Sequence, residues 1–169
     1  MMVFLCGFSG AGKTYLLKNL KQSFTGSHWS FLDMDEEIEQ THKLPIWKIV
    51  HDWGMEHFRK LETDQLKKIL VGQTSRHCLI ALGGGALDLN AELINNTPKA
   101  KLVWLDVPFE MCFARISGDQ HRPLVAMGKE KLTKLYLQRC INYQKADLIL
   151  STAQVESVKK LNQLIDLLK

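Results

Sequence analysis

Residues Gly7-Phe8-Ser9-Gly10-Ala11-Gly12-Lys13-Thr14 fit the pattern G-x-x-x-x-G-K-[ST], and their flanks restrict the fold more than any other stretch of the chain. The apolar run Met2-Val3-Phe4-Leu5-Cys6 ahead of the pattern reads as a buried strand. After it, Leu16, Leu17, Leu20 and Phe24 recur at helical spacing. A strand that turns through glycines directly into a helix offers backbone N–H groups, and the positive end of the helix dipole, to an anion. The pattern therefore implies a nucleoside-triphosphate site with Gly10, Ala11, Gly12, Lys13, Thr14 and Tyr15 on the phosphate side. In such a loop the lysine reaches the β- and γ-phosphates and the Thr14 hydroxyl ligates Mg2+.

Further short apolar runs at 29–33, 77–82, 101–106 and 147–150 each lead into a helical pattern. Strand–helix alternation of this kind predicts an α/β fold with a mainly parallel sheet. Pro108 suits the first turn of the helix after the fourth strand. Val155, Val158, Leu161, Leu164, Ile165 and Leu168 form the apolar stripe of one last helix. Residues 117–130, with Gly118, Pro123 and Gly128, interrupt the pattern and read as an exposed, mobile loop. No repeat or linker divides the chain, so residues 1–169 are expected to form one domain. Ligands of such sheets bind beyond the carboxyl ends of the strands, which gathers Gly7, Asp33 and Gly83 into one crevice.

The net charge of +4 comes from scattered lysines with no basic run or arginine–aromatic interleaving, so a nucleic-acid partner is not expected. Cys6, Cys78, Cys112 and Cys140 form no C-x-x-C pair and lie in apolar segments, as small buried hydrophobes in a reducing compartment. The six histidines do not fall at zinc-ligand spacings, and the four tryptophans read as core or pocket residues. The first apolar run is too short for a signal peptide and none is long enough to cross a bilayer, so a cytoplasmic protein without membrane contact is expected. With no extended apolar seam, a monomer is expected.

Several other residues carry chemistry at the strand ends. Asp33 and Asp35 close the second strand and open a helix. They can hold hydrated Mg2+ and accept from a substrate hydroxyl, or they can simply cap the helix. Arg59 and Glu62 share a helix face at i, i+3. That is the spacing of a braced carboxylate clamp, and also of an ordinary surface ion pair. Gly83-Gly84-Gly85 marks either close approach of a ligand or a flexible turn. Arg115 and Arg122 flank the mobile loop and Arg139 follows it, four residues before Tyr143. Arginines that close over a γ-phosphate supply charge where the transition state needs it, although each alone is more commonly a solvated surface residue.

Taken in order, G-x-x-x-x-G-K-T, D-x-D, F-R-x-x-E, G-G-G, R-P-L and R-x-x-x-Y resemble the shikimate kinase family over nearly the whole chain, from Val3 to about Leu150. The resemblance implies a three-layer α/β sandwich whose five-stranded parallel sheet has the order 2-3-1-4-5, with a P-loop and a mobile lid at about 117–130. It implies Mg2+-dependent transfer from ATP to the 3-hydroxyl of shikimate, a step toward chorismate and the aromatic amino acids. By position, Lys13 and Thr14 would contact phosphate and Mg2+, with Asp33 supporting the metal through water. Asp35 would bind ring hydroxyls and take the reacting proton. Arg59 and Arg139 would clamp the substrate carboxylate, braced by Glu62, and Gly83, Gly84 and Gly85 would offer backbone N–H groups. Arg122 would close onto the γ-phosphate and Arg115 would pack on adenine. Ile46, Phe58, Pro123 and Leu124 would line the apolar side.

The chain departs from the family pattern at three places. Gly54 is followed by Met55, with the acid one position later at Glu56; Val50 replaces a common phenylalanine; and the stretch from Arg122 to Arg139 is short. These changes imply altered affinity rather than lost activity. A gluconate kinase or a nucleoside monophosphate kinase shares the loop and general fold, and a non-catalytic nucleotide-binding module is the alternative of a different class.

Overall fold

The computed structural model describes residues 1–72, 77–119 and 124–169. Strands β1 (Met2–Cys6), β2 (Trp29–Asp33), β3 (His77–Ala81), β4 (Ala100–Asp106) and β5 (Leu148–Ser151) form one parallel sheet in the order β2-β3-β1-β4-β5. Each matches its expected run to within one residue at either end. The first helices are α1 (Lys13–Gln22), α2 (Met34–His42), α3 (Ile46–Gly72) and α4 (Leu87–Asn95). They are followed by α5 (Phe109–Ile116), α6 (Lys129–Tyr143), α7 (Thr152–Ser157) and α8 (Leu161–Leu167).

β1 is central, with Val3 in register with Leu79 of β3 and Lys101 of β4, and it is covered on both faces. That double burial is why its sequence is unbroken apolar rather than alternating. Val3 and Leu5 face Leu16 and Leu20 of α1, Cys112 of α5 and Leu164 of α8. Phe4 and Cys6 point the other way, toward Leu66 and Ile69 of α3 and Ile94 of α4. A smaller cluster joins Ile38 of α2 to Ile49 and Phe58 of α3 and forms the base of the wall described below.

The apolar stripe at the end of the chain is carried by two helices, not one. α7 ends at Ser157, Val158 and Lys160 take extended backbone, and α8 begins at Leu161. Gln163 Oε1 accepts from the backbone N–H groups of Lys159 and Lys160 at 2.8 and 2.9 Å, satisfying donors that a continuous helix would have engaged. Val158, Leu161 and Leu164 are buried all the same, because the stripe reports burial and not helix continuity. Pro108 stands just before α5 rather than inside its first turn. Trp104 is buried and Trp29 stacks on His77, whereas Trp53 is 53 % exposed and belongs to no core.

Within the segment expected as a lid, Gln120, His121, Arg122 and Pro123 lie outside the described residues. Val125–Met127 makes a single 3-10 turn, and α6 already starts at Lys129. Among the described residues no helix is long and apolar enough to cross a membrane.

Candidate active site

The turn after β1 requires glycine at three points, the first being Gly7 at φ +142°, where a Cβ would press on the Leu105 carbonyl. Gly10 and Gly12 have φ of +88° and +97°, and a Cβ on Gly10 would collide with the carbonyl of Cys112. Between them Ala11 is buried, and Gly12 is the N-cap of α1. Lys13 is also buried, its Nζ donating to the carbonyls of Gly7 at 2.8 Å and Phe8 at 3.1 Å. Burial pulls its pKa below the usual lysine value, and the nearby Asp35 opposes that shift. Arg115 braces the outer side of the loop through Nη1 to the Gly10 carbonyl, 3.0 Å. Tyr15 projects into solvent, 68 % exposed. Arg122 lies outside the described residues.

Asp33 has two tasks at once. Its Oδ1 caps α2 by accepting from the backbone of Asp35 and Glu36 at 3.0 and 3.4 Å, while Oδ2 accepts from the Thr14 hydroxyl at 2.6 Å. The capping bond fixes Asp33 at the end of β2 and so sets a carboxylate against the first turn of α1. Asp35, in the first turn of α2, turns toward the glycine run instead. Its Oδ1 is buried, and a Cβ on Gly83 would press on it at 2.9 Å. Desolvation first, then the charges of Asp33 and Glu62, push the Asp35 pKa up to about 7 despite Lys13.

Gly83-Gly84-Gly85 is a packed junction rather than a flexible turn. A side chain on Gly83 would strike Glu62 and Asp35, and one on Gly84 would strike the Ser9 backbone. A Cβ on Gly85 would collide with the guanidinium groups of both Arg59 and Arg139. The Tyr143 hydroxyl donates to the Gly84 carbonyl at 2.6 Å, which accounts for the spacing between Arg139 and Tyr143 on α6: one residue reaches Gly85 and the other holds Gly84. Arg59 is paired with Glu62, and Glu62 is fully buried, so this is not a surface ion pair. Burial raises the Glu62 pKa, and Arg59 counters.

Three buried side-chain atoms around this junction have no hydrogen-bond partner among the described residues: Asp35 Oδ1, Glu62 Oε1 and Arg139 Nη1. Native proteins rarely leave such groups unpaired, so their convergence marks a place where a polar ligand completes the bonding. Asp35 and Glu62 line a cavity of about 280 Å³, and Arg139 stands behind its Gly85 wall. Its apolar side is Ile46, Trp47, Val50, Met55, Phe58 and Leu124, and its polar side includes Asp35, Glu39, Arg59 and Glu62. Pro123 lies outside the described residues. Gly54, at φ +82°, breaks α3 and turns Met55 into the cavity wall, while Glu56 lies in solvent 3.7 Å from Lys60. The one-residue displacement of the acid thus exchanges a polar wall position for an apolar one.

Asp88 and Glu39 join the site without belonging to any of its motifs. Asp88 Oδ2 accepts from Arg139 Nε at 2.9 Å, and its only sequence signal is an acid in the first helical turn after the three glycines. Glu39 stands one helical turn after Asp35, so i, i+4 spacing places it on the same face. Its Oε1 accepts from the Ile46 backbone at 2.8 Å and ties α2 to the start of α3.

Comparison with known proteins agrees with this geometry. The sequence model of the shikimate kinase family matches residues 9–169. The shikimate kinase of Persephonella marina (strain DSM 14350 / EX-H1) is 28% identical over 163 residues, 96% of each chain. That of Staphylococcus epidermidis (strain ATCC 12228 / FDA PCI 1200) is 32% identical over 170 residues, 99% of this chain and 92% of the relative. Among solved structures, shikimate kinase from Acinetobacter baumannii in complex with shikimate has a TM-score of 0.82 at 30% identity, covering 97% of this chain and 92% of that one. The match runs from Ser9 within the phosphate loop through Arg59, the glycine run and Arg139, and on that ground the chain belongs to the shikimate kinase family, ATP-dependent kinases of a small molecule.

Proposed function

We propose that residues 1–169 act as one catalytic domain that transfers the γ-phosphoryl group of ATP to the 3-hydroxyl of shikimate, giving shikimate 3-phosphate and ADP. The observation that carries this reading is the convergence of Arg59 and Arg139 on Gly85, beside the contact of Gly84 with the phosphate loop at Ser9. Two guanidinium groups at one point suit a carboxylate, which arginine binds through parallel N–H bonds. A carboxylate held there leaves the ring against Ile46, Val50, Met55 and Phe58, with its hydroxyls directed to Asp35 and the glycine backbone.

Phosphoryl transfer asks the protein mainly for position and charge neutralisation. Lys13 exchanges its two loop carbonyls for phosphate oxygens, which are better partners for a buried ammonium. Asp35, in its ionised form, accepts the proton of the attacking hydroxyl while the new P–O bond forms and the bond to ADP breaks. A carboxyl with a pKa of about 7 is basic enough for that at neutral pH. Arg122 adds charge at the γ-phosphate, and Arg115 flanks the adenine side. The hard oxygens of Thr14 and Asp33, hydrogen-bonded to each other beside the loop, fit Mg2+, which needs only one or two protein ligands beside phosphate and water. When bound it neutralises charge on the phosphate oxygens.

A coupled ADP-release assay with Mg2+-ATP tests the reading: release is expected with shikimate and not with gluconate, AMP or no acceptor. Release with gluconate alone would keep the fold and overturn the substrate. Gly85→Ala provides a sharper test. Its methyl group would have to displace one of the two guanidiniums, and overpacking costs about 1–3 kcal/mol, or roughly a factor of ten to a hundred in affinity. The shikimate KM should rise by that factor while the ATP KM holds. An unchanged shikimate KM would remove the arginine clamp from the mechanism.

A further inference from the structure

We propose that Asp88 is the positioning residue for acceptor binding, its carboxylate engaging Arg139 at Nε so that the two Nη atoms stay directed at the substrate's carboxylate. This rests on the reading of Arg139 as part of the carboxylate clamp. Arg139 is 3% exposed, and a guanidinium cannot shed its charge. A buried cation without a counter-charge is strongly unfavourable, so something must hold it before the substrate arrives. Asp88 does this from α4, with Oδ2 2.9 Å from Arg139 Nε. The Asp88 backbone N–H donates to the Gly85 carbonyl at 3.1 Å, so one residue fixes both the arginine and the glycine that the arginine abuts.

The edge that Asp88 takes decides its role. It occupies Nε, whereas Nη1 is buried without a partner among the described residues and Nη2 borders Gly85. The Phe8 ring lies 5.8 Å from the guanidinium carbon and restrains its plane. Arg59 differs, since it gives Nη1 to Glu62. A competitor for the substrate's place would sit on the Nη edge, whereas Asp88 holds Nε. Asp88 is therefore a brace, and its loss lets a flexible side chain leave the geometry that the acceptor needs.

The test compares Asp88→Ala, Asp88→Asn, Arg139→Ala and the Ala/Ala double variant in steady-state kinetics with shikimate and ATP. Loss of a charge-assisted hydrogen bond predicts that Asp88→Ala raises the shikimate KM roughly ten- to hundredfold. kcat should fall by less than KM rises, and the ATP KM should stay within about twofold. Asparagine keeps an acceptor for Nε without the charge, so Asp88→Asn should show a smaller rise. The double variant should be no worse than Arg139→Ala, since Asp88 acts through that residue. A shikimate KM unchanged or lowered in Asp88→Ala overturns the proposal, as does an additive double variant. If Asp88→Ala does not fold, an unchanged shikimate KM in Asp88→Asn overturns it equally. If Arg139→Ala itself leaves the shikimate KM unchanged, the clamp reading falls and this proposal with it.

Discussion

Lys13→Ala is expected to lower turnover by about three powers of ten or more while leaving circular dichroism and melting temperature near wild type. In the absence of phosphate the Lys13 ammonium donates to the Gly7 and Phe8 carbonyls, and it is buried. The depressed pKa means that the folded protein carries this charge at some cost, so removing it does not weaken the fold. The benefit of the charge arises only when triphosphate enters. There it balances negative charge in a site that excludes water, where each such contact is worth far more than at a surface. Lys13→Met, which keeps the stem, should be equally inactive, separating lost charge from lost volume. Single-turnover transfer at a wild-type rate in either variant would take Lys13 out of the chemistry.

Asp35→Asn should cost about two to four powers of ten in kcat, the usual range for a general base. It should also make the protein more stable at neutral and alkaline pH. The pKa of Asp35 rises from 3.8 to about 7 on folding. Between those values the folded chain keeps a proton that the unfolded chain has released, so stability falls as pH rises through that window. Asparagine has no charge to bury, and its melting temperature should exceed wild type by a few degrees at pH 8, with the gap closing below about pH 4. In the wild type, kcat/KM for shikimate should decline below about pH 7 as this carboxylate takes up its proton, and that limb should vanish in the variant. A variant of undiminished kcat would exclude Asp35 as the base. A melting difference that does not depend on pH would mean that its carboxyl is not strained by burial.

The elements that could be read in advance were those whose signal is local. The phosphate loop is a contiguous pattern flanked by a strand and a helix, and β1 to β5 are short apolar runs, so neighbouring residues suffice to place them. The paired roles of Arg59 and Glu62 were visible only as a spacing. Whether the pair lay on the surface or in a site depended on burial, which neither residue encodes. Asp88 could not be linked to Arg139 because 51 residues separate them and the bond forms only once α4 and α6 pack side by side. The division of the terminal stripe into α7 and α8 was hidden for a related reason. Periodicity reports which residues meet the core, and that set is nearly the same for one helix or two.

Chain order and residue chemistry thus dictate a glycine turn that binds phosphate, a parallel sheet, and a carboxylate pair after β2, because each follows from hydrogen bonding and hydrophobic periodicity within about ten residues. The substrate side of the site has a different origin. The meeting of Arg59, Arg139 and Asp88 at Gly85, and of Asp35 with Glu62 at Gly83, arises from the order β2-β3-β1-β4-β5, which brings the end of β3 against the phosphate loop after β1. Charges far apart in the chain acquire shared burial there. In that low-dielectric junction their ordinary pKa values and solvated surfaces are replaced by a site that a carboxylic acid completes.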